Sequence, residues 1–352
     1  MAADPSPLRS PAGRLNRGAD RLPVTGALGA PLHEMPGAPV PPGAVSGYLT
    51  AADGVRLRFA RWPASPGVPR KGTIALLLGR DGYQEKYFET VRDLQARGFA
   101  VASLDWRGQG GSDRLLSDPR RGHVGDFREY QMDLKVFARE VLLPDCPAPH
   151  FALAHSMGCV ILLDAILAGH KWFDRVVLSS PMLALQLGGA ASGVQRMIAA
   201  LAALGFRGVQ IPTAGLPHYS HPTFETNRLT TDPVRYARIM ALQAAHPELP
   251  IGPPTFGWIN AAFRAMGRLA APEVVREIRQ PLLIIGAGAD KVVSNRVIEH
   301  FAARLIAGSA VFIPSAKHEI LLETDPIRAQ FWAAFDAFIP GSDPLYATTA
   351  QA

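Results

Sequence analysis

The stretch FALAHSMGCV, residues 151–160, decides the fold of this chain. An apolar run of strand character ends there, and an apolar helix pattern begins directly after Ser156. The segment AHSMG (154–158) fits the G-x-S-x-G pattern of a sharp strand-to-helix turn, with alanine at the first small position. Such a turn exposes its serine hydroxyl at the carboxyl end of a strand. The alternative is a structural one, in which Ser156 is simply the N-cap of the next helix.

Strand and helix patterns alternate on both sides of this turn. Short apolar runs predict strands at 73–79, 100–106, 150–154, 175–180, 281–288 and 310–314. Amphipathic patterns predict helices at 87–98, 127–141, 157–169 and 325–338, and one that starts at 294. This alternation predicts a mainly parallel sheet with helices on both faces. Ligands of such sheets bind at the carboxyl ends of the strands.

Two residues follow Ser156 in the order that a serine nucleophile on this turn requires, an acid and then a histidine. Asp290 and His318 each come just after a predicted strand. Of the ten histidines, only His300 and His318 follow Asp290, and His300 falls inside a predicted helix. The sequence therefore predicts Ser156 as nucleophile, His318 as general base and Asp290 as the residue that orients it.

An oxyanion hole is expected beside the nucleophile, and backbone N–H groups of two loops would form it. The residue after the nucleophile, Met157, supplies one donor, and the loop LGRDGYQEKY (78–87) supplies the other through Arg80. The Arg80 side chain either pairs with a nearby carboxylate or faces an anionic group of the substrate. The candidate carboxylates are those of Asp81, Glu85 and Asp105.

Several motifs give the chain a family resemblance. They are LGRDGYQEKY (78–87), DWRGQGGSDRLLSDPRRGHVGDF (105–127) and GPPTFGWI (252–259). With them, residues 47 to 340 resemble the α/β-hydrolase superfamily, and within it the bacterial lysophospholipases and monoacylglycerol lipases, often classified with serine aminopeptidases. The chain departs from the lipases at Leu78, where their H-G-x-G motif has histidine. The resemblance implies an α/β-hydrolase fold, a mainly parallel sheet flanked by helices, with an inserted, mostly helical cap.

Composition divides the chain into a core, a cap and two tails. Residues 1–45 are rich in proline and lack apolar periodicity, which predicts a disordered tail, and 341–352 predict a short C-terminal tail. The hydrolase core is expected at 46–181 and 273–340, and the cap at 182–272.

The predicted cap contains apolar and basic patterns that bear on the substrate. A helix at 192–206 places Val194, Met197, Ile198, Leu201 and Leu204 on one stripe, which lines an acyl pocket, rests against a membrane or packs on the sheet domain. Met197, Leu201 and Trp258 are the expected substrate contacts, with a core position as the alternative for Trp258. Residues 181–270 carry seven arginines and no lysine against three acidic residues, so 7 − 3 = +4. A basic cap favours anionic or zwitterionic lipid.

Other members of the motifs have structural interpretations. We expect Asp105, Arg107, Gly108 and Gly110 to lock the loop after strand 100–106. His123 either buttresses the site or is a satisfied structural histidine, and His155 is expected to pack under the turn.

The residues together predict a serine carboxylic ester hydrolase that cleaves a lysophospholipid or monoacylglycerol through an acyl-enzyme. An amidase or aminopeptidase on the same triad and a non-catalytic binding protein on this fold are the alternatives. The mechanism requires no metal and no organic cofactor, and nothing in the sequence implies an obligate protein partner.

Charge and hydropathy restrict the binding partners and the cellular location of the protein. The net charge is +6, but lysine and arginine are scattered, which argues against nucleic-acid binding. No apolar run approaches the roughly 20 residues of a membrane span, and no uninterrupted secretory segment follows the first arginines. We therefore expect a cytoplasmic protein, with peripheral contact at the inner face of the membrane through the cap.

Overall fold

A sheet of eight strands lies at the centre of the molecule. The computed structural model describes residues 28–35, 37–187, 191–212 and 223–340. The strands are β1 (Val45–Thr50), β2 (Arg56–Trp62), β3 (Gly72–Leu77), β4 (Phe99–Leu104), β5 (His150–His155), β6 (Arg175–Ser179), β7 (Leu282–Ala287) and β8 (Gly308–Ile313). Their spatial order is β1-β2-β4-β3-β5-β6-β7-β8. Strands β1 and β2 are antiparallel to their neighbours, and β3 through β8 run parallel to one another.

Helices cover both faces of this sheet. They are α1 (Phe88–Ala96), α2 (Arg128–Phe137), α3 (Leu143–Asp145), α4 (Met157–Leu167), α5 (Ala191–Ala203), α6 (Pro233–Ala245), α7 (Phe256–Leu269), α8 (Pro272–Glu277), α9 (Asn295–Ala302) and α10 (Asp325–Phe338). A π-helical segment, Ala138–Leu142, joins α2 to α3. Within the described ranges, no helix combines the length and the hydropathy that crossing a bilayer needs.

The predicted parallel sheet flanked by helices is confirmed, and all six predicted strands are present with ends within two residues. The sequence patterns missed β1 and β2 at the antiparallel edge. In β2 the reason is Arg58, which is fully buried inside the protein. Ionic partners surround its guanidinium, so an apolar period-2 pattern cannot mark this strand.

Two hydrophobic layers hold the helices on the sheet. One contains buried side chains of α2, α4, α7 and α9, and the other contains those of α1 and α10. Along β3, Ala75 and Leu77 face the first layer, while Ile74 and Leu76 face the second. Because both faces are covered, the central strands are continuously apolar in sequence.

The proline-rich N-terminal segment is packed where it is described, which corrects part of the predicted tail. Residues 28–35 and 37–44, here called the N-terminal strap, lie against the hydrolase core. Arg58 donates to the Pro31 carbonyl at 2.8 Å, and Arg92 donates to the Pro39 carbonyl at 2.7 Å. Proline keeps its carbonyl acceptor although it has no N–H, so an aperiodic segment can still bind donors of the core. Residues 1–27 and 341–352 lie outside the described residues.

Helices α5, α6 and α7 lie between β6 and β7, in the segment predicted to be the cap. Helix α5 packs on α7, and its Ile198 and Ala202 are buried. The boundary predicted between 272 and 273 falls at the first turn of α8. Residues 188–190 and 213–222 of this segment are outside the described residues, and the division into core, cap and tails stays a prediction.

Candidate active site

Ser156 lies in the turn between β5 and α4, with φ 49° and ψ −112°. A positive φ is strained for a residue that has a side chain, and such strain concentrates at functional sites. The Ser156 N–H donates to the Ser179 carbonyl at the end of β6 (3.0 Å), which holds the turn against the next strand. The Ser156 side chain makes no N-cap hydrogen bond. Ser156 therefore stands at the N-cap position of α4, but its side chain does not cap the helix.

The small residue two positions after the serine has a steric reason. A Cβ atom on Gly158 would lie 2.5 Å from the Leu77 carbonyl oxygen and 2.7 Å from that of Leu78. The first turn of α4 thus touches the backbone at the end of β3. This contact brings the loop after β3 next to Ser156.

His318 and Asp290 meet Ser156 at the carboxyl edge of the sheet. His318 Nε2 is 2.9 Å from Ser156 Oγ, and His318 Nδ1 is 2.7 Å from Asp290 Oδ2. An ionised carboxylate at Nδ1 favours the tautomer that carries its proton there, which leaves the Nε2 lone pair facing the hydroxyl. All three predicted residues therefore form one hydrogen-bonded series, and the side chains of His318 and Asp290 are almost fully buried.

The carboxylate of Asp290 stays charged in this environment. Its Oδ1 accepts the N–H groups of Val292 and Val293 at 2.7 and 3.0 Å. Burial alone would raise the pKa of Asp290, but hydrogen bonds and charge from His318 and these two amides outweigh it and lower the pKa. Asp290 is thus held as an acceptor for the His318 ring.

The loops that carry the acid and the base are joined by their backbones. A Cβ on Gly288 would lie 2.6 Å from the Pro314 Cα, so the chain after β7 runs directly along the chain after β8. Gly288 N–H donates to the Ile313 carbonyl (2.8 Å), and Ala289 N–H donates to the Ala316 carbonyl (2.9 Å). These contacts fix the positions from which Asp290 and His318 extend.

The loop after β3, in which an oxyanion donor is expected, also reaches the serine. A Cβ on Gly79 would lie 3.2 Å from the Ser156 Cβ. Gln109 clamps this loop by donating to the Gly79 and Gly82 carbonyls at 2.8 and 2.9 Å. Arg80 follows Gly79 in the clamped turn. Its N–H and that of Met157 stay predicted oxyanion donors.

The Arg80 side chain has partners in the segment predicted to be the cap. It donates to the Gly252 carbonyl at 2.6 Å, and its guanidinium carbon lies 5.2 Å from the centre of the Trp258 ring. Two of the carboxylates considered for it, Glu85 and Asp105, are bound by Arg58 instead. These contacts favour a structural role for the side chain over contact with an anionic substrate group.

A buried ion cluster supports the loops behind the site, and no sequence pattern indicated its central residue, Arg58. Arg58 binds both oxygens of Glu85 at 2.7 Å and donates to Asp105 Oδ2 at 2.7 Å. Asp105 also accepts the backbone N–H groups of Gln84 and Gly111. Burial is the main reason that the pKa of Asp105 is raised, and Arg58 opposes it. The expected loop-locking role of Asp105 is therefore confirmed.

Arg107, also expected to lock the loop, does so through two carboxylates. It donates to Asp133 at 2.7 and 2.8 Å and to Asp53 at 2.6 and 3.1 Å. Gly108 and Gly110 in the same loop both have positive φ, 79° and 57°. This geometry agrees with a tight loop that is held by charge pairs.

A second histidine and a carboxylate lie behind the His318 ring. His155 Nε2 is 3.2 Å from Glu319 Oε2, and the rings of His155 and His318 are 4.9 Å apart. Tyr87 donates to the same Glu319 oxygen at 2.9 Å. Burial would raise the pKa of Glu319, but His155, together with Lys86 and His318, outweighs it and the pKa falls to about 2. His155 lies under the turn as expected, but no sequence pattern indicated Glu319, although it directly follows the predicted base.

The three expected substrate contacts lie in different environments. Trp258 is 4% exposed, and its ring N–H donates to the Tyr130 hydroxyl at 3.1 Å, as in the core alternative. Met197 is 54% exposed, and Leu201 is partly buried against the core. The single stripe predicted on this helix divides accordingly. Ile198 is buried, while Met197 and Leu204 face outward. Substrate contact by Met197, Leu201 and Trp258 stays a prediction.

The arginines of residues 181–270 mostly bind the rest of the protein. Five of the seven donate to acceptors in the core, namely Arg207, Arg235, Arg238, Arg264 and Arg268. Their acceptors include the Gly125 carbonyl and the carboxylates of Glu89 and Asp164. The positive charge that we interpreted as a lipid preference therefore serves mainly to hold this segment in place.

His123 has a structural partner in the same segment. Its Nδ1 lies 2.8 Å from the Thr255 hydroxyl, and Thr255 caps α7 by accepting the Trp258 N–H. The ring is partly buried, and burial lowers the pKa of His123. The satisfied structural histidine is the interpretation that these contacts favour.

Comparison with known proteins identifies relatives in sequence. A family model described as serine aminopeptidase, S33, matches residues 68–325. Lysophospholipase L2 of Escherichia coli is 31% identical over 288 residues, which cover 80% of this chain and 83% of that protein. A protein of Haemophilus influenzae described as "probable lysophospholipase L2" is 29% identical over 292 residues, covering 83% and 91%.

Solved structures show the same fold. A soluble variant of monoglyceride lipase from Saccharomyces cerevisiae has a TM-score of 0.66 and 20% identity, covering 84% of this chain and 95% of that chain. Monoacylglycerol lipase of Paleococcus ferrophilus has a TM-score of 0.61 and 19% identity, covering 81% and 99%. At these identities the likeness shows the α/β-hydrolase fold alone.

Proposed function

The chain belongs to the hydrolase family described as serine aminopeptidase, S33, and we propose that within this family it is a lysophospholipase that cleaves the carboxylic ester of single-chain lipids. It is a serine ester hydrolase of the lysophospholipase and monoglyceride lipase type. The observation that carries the proposal is the series from Asp290 Oδ2 through His318 to Ser156 Oγ, with contacts of 2.7 and 2.9 Å.

The proposed reaction starts at the Ser156 hydroxyl. His318 Nε2 takes the hydroxyl proton while Oγ attacks the ester carbonyl, and Asp290 stabilises the imidazolium that forms. The N–H groups of Met157 and Arg80 receive the oxyanion, each contributing about 10² to 10³ in rate. His318 then returns the proton to the leaving alcohol. Water, activated by the same histidine, attacks the acyl-enzyme and releases the fatty acid.

The substrate class rests on the curated relatives, which are named for lysophospholipid hydrolysis. The solved relatives named for monoacylglycerol hydrolysis favour a second ester with the same single acyl chain. In both molecules an ester joins one acyl chain to a glycerol backbone, so one nucleophile and one oxyanion hole serve either reaction. The family description favours an aminopeptidase as the other candidate.

A substrate panel tests the proposal. We expect release of fatty acid from lysophosphatidylcholine, lysophosphatidylethanolamine and monoolein, and no turnover of aminoacyl amides. The Ser156→Ala variant serves as the blank and should lose at least about 10³-fold in kcat. A fluorophosphonate probe should label the native chain and not the variant.

Three results would contradict the proposal. Turnover of aminoacyl amides without turnover of any lipid would favour the aminopeptidase. Undiminished ester hydrolysis by Ser156→Ala would remove Ser156 as the nucleophile. A native chain that neither turns over the panel nor reacts with the probe would instead favour a binding protein on the hydrolase fold.

Contact with a membrane surface, at its inner face, is also part of the proposal. Four large apolar side chains on or just after α5 are exposed, namely Met197 (54%), Leu204 (73%), Phe206 (46%) and Val209 (45%). Apolar side chains at such exposure can insert between lipid headgroups. They lie in the segment predicted to be the cap, so their insertion would hold the protein at a surface that contains its lipid substrate.

Vesicle sedimentation tests this contact. We expect the native chain to sediment with phosphatidylethanolamine and phosphatidylglycerol vesicles, and Leu204→Glu to reduce the bound fraction several-fold. Ile306→Glu is the matched control, because Ile306 is 55% exposed but precedes β8 in the core. Equal losses in both variants, or no loss in Leu204→Glu, would contradict contact through α5.

A further inference from the structure

Two histidines and a carboxylate from distant parts of the chain meet outside the active site. His33 belongs to the N-terminal strap, His246 directly follows α6, and Glu248 lies two residues later. Glu248 Oε1 is 3.8 Å from His33 Nε2 and 3.3 Å from His246 Nδ1. The two rings lie 3.9 Å apart. One donor atom of each residue lies within 4.8 Å of the others.

We propose that His33, His246 and Glu248 bind a Zn²⁺ ion. Imidazole nitrogen and carboxylate oxygen are donors that zinc prefers, and two histidines with one glutamate form an established donor set for it. At bonds of 2.0 to 2.2 Å, a tetrahedral ion separates its ligand atoms by about 3.4 Å. The two separations from Glu248 Oε1, 3.3 and 3.8 Å, are close to that value, and the third lies within 4.8 Å, so side-chain rotations would complete the site.

Backbone hydrogen bonds fix the chain at each of the two histidines. The His33 N–H donates to Glu85 at 3.3 Å, and Glu85 is fixed by Arg58 in the buried ion cluster. The His246 N–H donates to the Leu242 carbonyl at 2.9 Å, and its own carbonyl accepts the Leu249 N–H at 3.1 Å. Because the ligands are positioned from both sides, the metal orders little new chain when it binds.

A small apolar cluster lies beneath the site. Tyr83, Leu242 and Leu249 are buried together, and Met35 of the strap packs on them. The side chains of the two histidines are 23% and 26% exposed, while that of Glu248 is 59% exposed. The open side leaves room for water as the fourth ligand.

The metal would fasten the N-terminal strap to the segment between α6 and α7. That segment continues to Ile251, whose N–H donates to Asp81 at 2.7 Å, and to Gly252, which accepts from Arg80 at 2.6 Å. Asp81 and Arg80 lie in the loop clamped beside Ser156. The proposed site is therefore a structural one, and these two hydrogen bonds connect it to the candidate oxyanion loop.

Zinc titration of the untagged full chain, stripped of metal with a chelator, tests the site. We expect calorimetry to give one Zn²⁺ per chain. His33→Ala and His246→Ala should each weaken the affinity by at least about 10-fold. Co²⁺ should give the visible absorption of a tetrahedral site in the native chain and lose it in both variants.

Control variants test whether zinc binding depends on the three proposed ligands. His300→Ala, at an exposed position on α9, should bind zinc as the native chain does, and so should Ser156→Ala, which separates this site from the proposed function. Glu248→Gln changes an exposed side chain and should weaken binding even if a histidine variant fails to fold. The proposal is overturned if the native chain binds no stoichiometric zinc, or if Glu248→Gln and the folded histidine variants bind it with native affinity.

Discussion

At the scale of single residues, the site depends on side chains whose charge is set by their neighbours. The Asp290 pKa is lowered because its hydrogen bonds outweigh its burial. Glu319 is likewise kept ionised in a buried position, by His155. The two carboxylates approach different histidines, since Asp290 contacts the His318 ring and Glu319 contacts the His155 ring behind it. Their substitution should therefore separate orientation of the base from support of the turn.

Asp290→Asn tests orientation of the base. The amide keeps the size of the carboxylate, but it can present an N–H to His318 Nδ1 and favour the tautomer with its proton on Nε2. We expect kcat for ester hydrolysis to fall by about 10⁴ with the fold intact. Steady-state kinetics and a circular dichroism spectrum measure both. A variant with normal kcat would assign the orienting acid elsewhere.

Glu319→Gln tests support of the turn. Removing this charge weakens the acceptor that Glu319 offers to the His155 ring and to the Tyr87 hydroxyl. We expect the free energy of unfolding to fall by about 1–3 kcal/mol, because buried polar groups lose their pairing. Urea unfolding measures it, and kcat should fall less than in Asp290→Asn. An unchanged free energy of unfolding would show that this pair does not hold the turn.

At the scale of secondary-structure elements, helix α4 is placed by a backbone contact that only glycine permits. The 2.5 Å approach predicted for a Cβ at position 158 involves a carbonyl oxygen of β3, which cannot move independently of the sheet. Most of α4 is buried, including its apolar side chains from Met157 to Leu163. A shift of the helix would therefore disturb both the core and the Ser156 turn.

A pair of glycine substitutions tests this contact. Gly158→Ala should lower the free energy of unfolding by about 1–3 kcal/mol, because the added methyl group forces the helix and the strand apart. Gly267→Ala is the matched control in α7, where a Cβ meets nothing within 4 Å. There we expect a gain of about 0.5–1 kcal/mol from helix propensity. Urea unfolding of both variants measures the difference, and a neutral Gly158→Ala would contradict the close approach.

At the scale of the whole molecule, one carboxylate joins three helices. Glu89 of α1 accepts from Arg235 (2.9 Å) and Arg238 (2.6 Å) of α6 and forms an ion pair with Arg328 of α10. Burial would raise the pKa of Glu89, but the three arginines outweigh it and lower the pKa to about 2. The segment between β6 and β7 is thus tied to the core by charge as well as by apolar packing.

Acid should release this connection. The pKa of Glu89 is lower in the folded protein than its ordinary value of 4.5. Its contribution to stability is therefore complete above about pH 4.5 and is lost as the pH falls toward about 2. We expect native and Glu89→Gln proteins to differ in free energy of unfolding at neutral pH, and the difference to shrink across this range.

Urea unfolding between pH 7 and about 2 measures the effect. Glu299→Gln, at an exposed position on α9, controls for the loss of one negative charge. If the difference between native and Glu89→Gln proteins did not depend on pH, the arginine contacts would not be the source of its stabilisation.

The sequence by itself determined the parallel sheet, the strand-to-helix turn and the order of Ser156, Asp290 and His318. These features are local, because apolar periodicity and small turn residues are visible in short segments. Chain order then brought the three residues together, since the carboxyl ends of parallel strands share one edge. Only the tertiary structure decided how charges and the strap are used. Arg58 in β2, the five paired arginines and the packed proline-rich strap depend on partners far away in sequence, and no local pattern specifies which distant groups will meet.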